Sequence, residues 1–183
     1  AELGDAVEAD VGARRRRAAE RLAALLGLEE TPVLLHCLDV STTQGTNTVA
    51  SRVCFSEGQP NKAQYRRFKV SAEHAGDDFS AMEEAVRRSL RLCLEREDEE
   101  LPDLLIVDGG RGQLAAAERA VEGLGLEDDV WLCGLAKSRL KGDGDRRYES
   151  GERIFLPGQE APIPLGKDTA EMLSFCCNAD GRG

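Results

Sequence analysis

The sequence predicts an α/β protein in which a mixed sheet is flanked by helices, and three observations lead to this class. Mostly apolar runs at 33–38 and 104–107 are typical of central strands that are buried on both faces. Alternating side chains at 48–55, between strand-like neighbours and short turns, predict an antiparallel three-strand meander. From residue 79 onward the pattern becomes helix, strand, helix, strand, which adds helix-connected strands to the same sheet.

The first elements are a leading helix and the meander. Residues 1–30 predict the helix, because Leu22, Leu25 and Leu26 recur at helical spacing before Gly27. The meander comprises a central strand at 33–40, the alternating strand at 48–55, a turn at 56–61 and a third extended segment at 62–70. In the alternating strand one side holds Val49, Ser51, Val53 and Phe55, and the other holds Ala50, Arg52 and Cys54.

A second helix is predicted by an apolar stripe that steps by three and four residues, formed by Phe79, Met82, Val86, Leu90 and Cys93. Residues 80–83 fit a capping box at its start. A strand at 104–107, a helix at about 113–122 and a strand at 130–135 follow. Beyond them we expect a mobile loop at 141–151, a small hairpin of 153–156 with 163–165 that has Pro164 at an edge, and a short helix at 168–175.

Length and composition favour a folded protein, since the chain has 183 residues of which 41% are hydrophobic. We divide it into a leading helical segment at 1–30 and a domain at 31–183. No apolar run approaches the roughly 20 residues that span a membrane, and no signal-peptide pattern opens the chain, so a cytoplasmic location is expected. The six cysteines form no C-x-x-C pair, which argues against zinc. Three of them lie in strand-like segments and are expected to be buried: Cys37, Cys54 and Cys133.

The net charge of −10 argues against a simple nucleic-acid binder, which usually carries a basic excess. Local basic clusters nevertheless occur at 14–17 and 65–69. For the arginine run at 14–17 we favour a solvated helix face over a DNA contact, because one charge run alone is a weak signal.

Two aspartates follow apolar runs and precede flexible turns. Asp108 ends the second run before glycine-rich 109–112, and Asp39 ends the first run before polar residues 41–47. Such a carboxylate is costly to desolvate unless a cation binds it. Neighbouring strands lie about 4.8 Å apart, so the two acids can share one Mg²⁺ or Mn²⁺, as in sites that cleave phosphodiesters. We favour this site over two simple turn openers because the two strand ends match.

Other residues keep two interpretations each. Asp77 and Asp78 precede the second helix, where they either cap it or add a third metal-facing carboxylate. Lys137 follows an apolar strand and is either a point cation for a phosphate or an ordinary exposed lysine. The turn at 109–112 leads into a helix whose amides could hold a phosphate, but it matches no nucleotide-binding motif. Both histidines are expected to be structural or solvated: His36 and His74.

Nine short segments share their residues and their order with a known family. They are CLDVS (37–41), QGTNTVAS (44–51), PNK (60–62), YRRF (65–68), DDF (77–79), LPDL (101–104), DGGRGQL (108–114), GLAK (134–137) and FLPG (155–158). Together they resemble the C-terminal endonuclease domain of UvrC, a component of the ABC excinuclease, from about residue 13 to 165.

The resemblance implies a ribonuclease H-like fold and a metal-dependent DNA endonuclease that uses Mg²⁺ or Mn²⁺ to make the 5′ incision in nucleotide excision repair. Asp39 and Asp108 match metal-binding catalytic acids, Asp78 matches a further essential acid, and Lys137 matches an active-site lysine. The implied partners are damaged double-stranded DNA and UvrB, with UvrA acting upstream, and no membrane.

Two departures from the family pattern motivate an alternative. Thr42 stands where the family usually has histidine, and residues 166–183 lack the late helix histidine of the family. The chain is therefore expected to be a UvrC fragment that cleaves poorly alone. The alternative is a catalytically impaired ribonuclease H-like module, a degenerate copy that acts only in DNA or protein binding.

Overall fold

The computed structural model describes residues 2–43, 47–71, 73, 76–137, 139–143, 146–150 and 152–166. The helices are α1 (Glu2–Leu26), α2 (Asp78–Glu95) and α3 (Arg111–Gly123), with a 3₁₀ turn at Lys62–Gln64. The strands are β1 (Leu34–Thr43), β2 (Asn47–Ser56), β3 (Gln59–Pro60), β4 (Arg66–Lys69), β5 (Leu104–Asp108), β6 (Trp131–Ala136), β7 (Arg139–Asp143), β8 (Arg146–Ser150), β9 (Arg153–Phe155) and β10 (Ile163–Pro164).

Among the described residues one mixed sheet dominates the fold. Its order is β10-β9-β6-β5-β1-β2-β3, and β4 also pairs with β2. The three central strands β1, β5 and β6 are parallel, while β2 and β9 flank them in antiparallel orientation. The predicted mixed α/β class is therefore confirmed. No helix among the described residues is both long and apolar enough to cross a bilayer.

Each face of the sheet is covered by helices. Leu38, Leu105 and Val107 lie in one buried cluster with α2 and α3, whereas their neighbours in the strands lie in a second cluster with α1. This division follows from the two-residue period of strands. Because the central strands are buried on both faces, they read as continuous apolar runs, which is why sequence patterns found them.

Helix α2 begins one turn earlier than its predicted capping box. Asp77 is the N-cap, and its Oδ1 accepts hydrogen bonds from the backbone N–H groups of Phe79 and Ser80, each at 3.1 Å. The box predicted at 80–83 is therefore wrong. The predicted stripe also begins later than expected, because the Phe79 side chain is 48% exposed whereas Met82 is buried.

Three other boundaries correct the predictions. Strand β1 continues to Thr43 because β2 pairs with it that far. The extended segment at 62–70 contains the 3₁₀ turn, so only Arg66–Lys69 form a strand. Helix α3 starts at Arg111 and takes in part of the predicted glycine turn.

The C-terminal region holds one error and one confirmed prediction. The loop expected at 141–151 is instead largely the antiparallel hairpin of β7 with β8. Its polar and charged residues carry no apolar alternation from which strands could be inferred. The small hairpin of β9 with β10 is confirmed, and Pro164 lies in the edge strand. The helix expected at 168–175 lies outside the described residues.

An ion network is buried between β2, β4, α2 and the chain that leads to β5. Arg52 Nη2 lies 2.7 Å from Glu99 Oε2, and Arg66 Nη2 lies 2.6 Å from Glu99 Oε1. The Arg52 guanidinium also donates to the Gln64 carbonyl and to Ser89 Oγ. The Arg52 and Glu99 side chains are fully buried, so each charge depends on the other for compensation.

Removing the charge of Glu99 should therefore be strongly destabilising. We expect Glu99→Gln to lower the free energy of unfolding by about 3–5 kcal/mol, because Arg52 is left as an uncompensated buried charge. The matched control is Asp98→Asn, since the exposed Arg96–Asp98 pair is screened by solvent. Urea unfolding of both variants checks this, and equal midpoints would contradict it.

His36 is a buried, neutral side chain, in agreement with the structural interpretation. It has no exposed surface, and neither ring nitrogen has a hydrogen-bond partner among the described residues. Burial lowers the pKa of His36 from 6.5 to about 3, and the positive charge of Arg52 contributes to this lowering. The other histidine, His74, lies outside the described residues.

This histidine should make the protein less stable in mild acid. Below pH 6.5 His36 is protonated in the unfolded chain, whereas in the native protein it stays neutral until about pH 3. The free energy of unfolding therefore falls as pH falls. Between pH 7 and pH 5 we expect wild type to lose about 2 kcal/mol more than His36→Leu. Urea unfolding at both pH values measures this, and parallel losses in the two proteins would refute it.

Candidate active site

The structure places Asp39 and Asp108 at neighbouring positions on adjacent parallel strands. The last register pair between β1 and β5 is Leu38 with Val107, and the two aspartates are the next residue on each strand. Parallel strands lie about 4.8 Å apart. Leu38 and Val107 face α2 and α3. Because successive side chains of a strand point to opposite faces, Asp39 and Asp108 lie on the face that α1 covers. Both are partly buried.

Asp39 is not at the end of its own strand, contrary to the prediction. It lies within β1, opposite Ser51 of β2. What ends beside Asp39 is the parallel partner β5, which stops at Asp108. On one side of Asp39 the chain of β5 thus turns away into α3, and on the other side β2 pairs with β1.

Lys137 joins Asp108 at this edge. Its Nζ lies 2.9 Å from Asp108 Oδ2, and the side chains are 36% and 16% exposed. The register explains the contact. Asp108 pairs with Leu135 in β6, and Lys137, two residues after Leu135, lies on the same face of the sheet. Lys137 is therefore a half-buried cation held at a carboxylate, not an ordinary exposed lysine.

Asp78 does not join this group on the α1 face. It is the exposed first residue of α2, and α2 packs on the opposite face of the sheet. The start of α2 nevertheless lies beside the start of α3, because a Cβ added to Gly112 would clash with the Phe79 ring. Asp78 is thus near the same end of the sheet but behind it. Its neighbour Asp77 serves as the helix cap.

A tight turn carries the chain from Asp108 into α3. The N–H of Gly109 donates to the carbonyl of Leu135 at 2.9 Å, and Gln113 Oε1 accepts from the N–H of Gly110 at 3.2 Å. Gly134 of β6 lies against this turn, where an added Cβ would stand 3.0 Å from the Gly109 carbonyl oxygen. The turn and the end of β6 are therefore packed backbone to backbone.

The donor set at this edge suits a hard cation. Carboxylate oxygens are the ligands that Mg²⁺ and Mn²⁺ prefer, and Mg²⁺ is often held by one or two carboxylates together with water and phosphate. Asp39 and Asp108 supply two such groups. Within the described ranges no group of three or more His, Cys, Asp or Glu residues is placed to hold a metal.

Comparison with known proteins identifies the family. The family described as the UvrC RNAse H endonuclease domain matches residues 23–176. The chain belongs to this family. The resemblance stated from the sequence is thereby confirmed, together with the ribonuclease H-like fold.

Whole proteins named UvrABC system protein C are similar to this chain over part of their length. The protein from Trichlorobacter lovleyi is 41% identical over 170 residues, which is 90% of this chain and 28% of the relative. The protein from Thermobifida fusca is 40% identical over 184 residues, which is 87% of this chain and 26% of the relative. The chain thus spans little more than a quarter of these UvrC relatives.

Solved structures give more distant resemblances to this UvrC domain. Ciona intestinalis endonuclease V, in complex with a 24mer DNA containing an inosine followed by a ribo-adenosine, is 14% identical with a TM-score of 0.43, covering 94% of this chain and 88% of that one. Human ENDOV is 18% identical with a TM-score of 0.43, covering 96% and 88%.

Sequence reasoning missed the two glycines that fit the site together. Gly134 approaches the backbone of the turn after Asp108, and Gly112 lies against the Phe79 ring. A glycine inside an apolar strand is a known signal of close backbone approach, so Gly134 could have been found. Gly112 lies in a glycine-rich turn with Gly109 and Gly110. The sequence therefore did not distinguish its packing role from that of an ordinary turn residue.

Adding a methyl group at Gly134 should disturb this end of the sheet. Because the Cβ of Gly134→Ala meets carbonyl oxygens at 3.0 and 3.4 Å, we expect a loss of about 1–3 kcal/mol in the free energy of unfolding. The control is Gly123→Ala, which meets nothing within 4 Å at the end of α3 and should gain up to about 1 kcal/mol. Urea unfolding would disprove the close approach if both variants were as stable as wild type.

Proposed function

We propose that this chain is the metal-dependent DNA endonuclease domain of a longer repair protein and makes the 5′ incision in nucleotide excision repair. The observation that carries the proposal is the pair Asp39 and Asp108, adjacent in register on one face with Lys137 bonded to Asp108. Membership of the UvrC RNAse H endonuclease domain family supports the same reaction class.

In this proposal Asp39 and Asp108 hold Mg²⁺ or Mn²⁺. When bound, the metal would supply Lewis-acid stabilisation of phosphate charge and an activated water. Lys137 balances the negative charge of Asp108 in the free protein and offers a point cation to a scissile phosphate. The partial burial of both acids limits access of bulk water and so strengthens their interactions with cations.

Two further parts of the site are proposed to assist. Asp78 is exposed at the same end of the sheet, so it can act on DNA or a second cation approaching around the edge. The backbone amides at the start of α3, next to Asp108, offer donors for a phosphate oxygen. Neither residue set is required to hold the metal between Asp39 and Asp108.

Damaged double-stranded DNA is the proposed substrate, and UvrB, with UvrA upstream, the proposed partner that delivers it in the cytoplasm. The relatives' naming as components of a UvrABC system supports this assignment. The net charge of −10 predicts weak non-specific affinity for a phosphate backbone. Poor cleavage by the chain alone is therefore expected, because positioning of the substrate falls to its partners.

The alternative is a catalytically impaired module, which rests on the placement of the histidines alone and which the family match does not favour. The chain has two histidines, and neither lies in the late segment where the family carries one. His36 cannot replace it, because that side chain is buried and lies on the α2–α3 face, opposite Asp39. Residues 167–183 lie outside the described residues.

Charge-neutral variants of the acid pair test the proposal. In calorimetric titration with Mn²⁺, Asp39→Asn and Asp108→Asn should each weaken binding by more than about tenfold, because each removes a direct ligand. The control Asp128→Asn alters an exposed acid outside the site and should bind like wild type. Asp78→Asn should leave the affinity of the site between Asp39 and Asp108 unchanged, because Asp78 lies behind the sheet.

Activity separates the two functions. With UvrA, UvrB, Mg²⁺ and a lesion-bearing duplex, nicking should fall by about 10²-fold or more in Asp108→Asn but not in Asp128→Asn. Nicking that Asp108→Asn leaves intact would overturn the assignment. Metal binding without any nicking by wild type would instead establish the impaired module.

A further inference from the structure

Trp131 lies at the opposite end of the parallel strands from the candidate active site. It is the first residue of β6, and its side chain is 56% exposed. Lys137 follows the last residue of the same strand, so about 20 Å of extended chain separate the two. A tryptophan side chain is large and apolar, and it gains more from being covered than almost any other residue.

Two cavities adjoin Trp131. A cavity of about 610 Å³ lies between Trp131 and the connection from α1 to β1, at residues 27–33. A smaller cavity of about 180 Å³ lies against α3 and Pro157. Trp131 lines both cavities, and the larger one has the volume of a site that takes several side chains. We call this surface the Trp131 groove.

Apolar side chains contribute to the walls of the groove. Leu28, Pro32 and Val33 line the larger cavity, and Val33 is 50% exposed. Val130 and Pro157 line the smaller one. An apolar surface with an aromatic centre and a polar rim is the arrangement that protein interfaces use for their anchor residues.

The rim of the groove is acidic. The acids are Glu29, Glu30 and Asp129 around the larger cavity, and Glu118, Glu122 and Glu127 around the smaller one. No Lys or Arg is among the described residues that line either cavity. Asp103 also lines the larger cavity, but its Oδ2 already accepts from the N–H groups of Val33 and Leu34, each at 2.9 Å.

The carboxylates beside the smaller cavity repel one another. Burial raises the pKa of Glu118, and the neighbouring Glu122 carboxylate raises it further. A bound cation would relieve this repulsion. The same acids would repel a phosphate backbone, so the charge of the groove excludes nucleic acid as its occupant.

We propose that the Trp131 groove docks a partner protein through a segment in which Lys or Arg alternates with apolar residues. The cation stacks on the Trp131 face beside the acidic rim of the larger cavity, and the apolar residue enters that cavity. This role goes beyond the proposed nuclease and does not depend on it. Because docking occurs at the far end of the strands, the edge that holds Asp39 and Asp108 stays open.

The chain contains one tryptophan, so its fluorescence reports on the groove alone. The probe is a labelled ten-residue peptide of alternating Arg and Leu, added to the full chain in low salt. We expect saturable binding by peptide anisotropy and a blue shift of Trp131 emission as the indole is covered. A matched peptide of alternating Glu and Leu should produce neither change.

Variants locate the binding. Trp131→Ala should weaken binding of the Arg–Leu peptide about 5-fold or more, as expected for loss of a cation–π contact and an apolar anchor. Glu29→Gln combined with Glu30→Gln should weaken it similarly. The control combines Glu95→Gln with Glu97→Gln, which neutralises two exposed acids elsewhere, and it should bind like wild type.

Four outcomes would overturn the proposal. If the control pair weakened peptide binding equally, the binding would be general attraction between opposite charges. If the Trp131 emission spectrum stayed unchanged, the peptide would bind outside the Trp131 groove. Displacement of the peptide by a short DNA duplex, with the same loss in Trp131→Ala, would make nucleic acid the occupant. A blue shift that grows with protein concentration in the absence of peptide would make a second copy of the chain the occupant.

Discussion

Four consecutive register pairs, from Leu35 with Leu104 to Leu38 with Val107, hold β1 and β5 in parallel at the centre of the sheet. These pairs are buried on both faces, so both helical layers enforce the same register. A slip of one residue would turn one strand's side chains to the opposite face. Asp39 and Asp108 would then lie on different sides of the sheet. The packing of the core thus determines whether the acid pair exists.

The same alternation keeps incompatible groups apart. On the α1 face, the partly buried Asp108 carboxylate contacts Lys137, and Asp39 lies on the neighbouring strand. On the α2–α3 face, the uncharged His36 and the compensated Arg52 lie in the interior. A buried charge requires a partner, whereas a charge at the edge can exchange its partner for an incoming ligand. The sheet therefore separates the buried charge of Arg52, which keeps its partner, from the Asp108–Lys137 pair, which can exchange partners.

Sequence patterns predicted the central strands, α2 and the acid pair, because burial leaves continuous or periodic apolar residues in the sequence. They placed Asp39 at a strand end because its own apolar run stops there, but the end of β1 is set by how far its partner β2 pairs with it. They missed the β7–β8 hairpin, because the sequence of its strands shows no alternation of apolar and polar residues. The role of Gly134 also stayed hidden, since it depends on a turn in another segment.

The parallel pairing also has a consequence for when the site comes into existence. The N–H of Leu34 reaches the Asp103 carboxylate across 69 residues of chain, which is about the distance in sequence that separates the two site aspartates. Closing so long a loop carries an entropic cost that local hairpins avoid, and such contacts form late in folding. A nascent or partly unfolded chain can hold the β1–β2 hairpin with Asp39 in place and still lack a paired acid. The paired acids thus belong to the completed fold and are absent from the hairpin that precedes it.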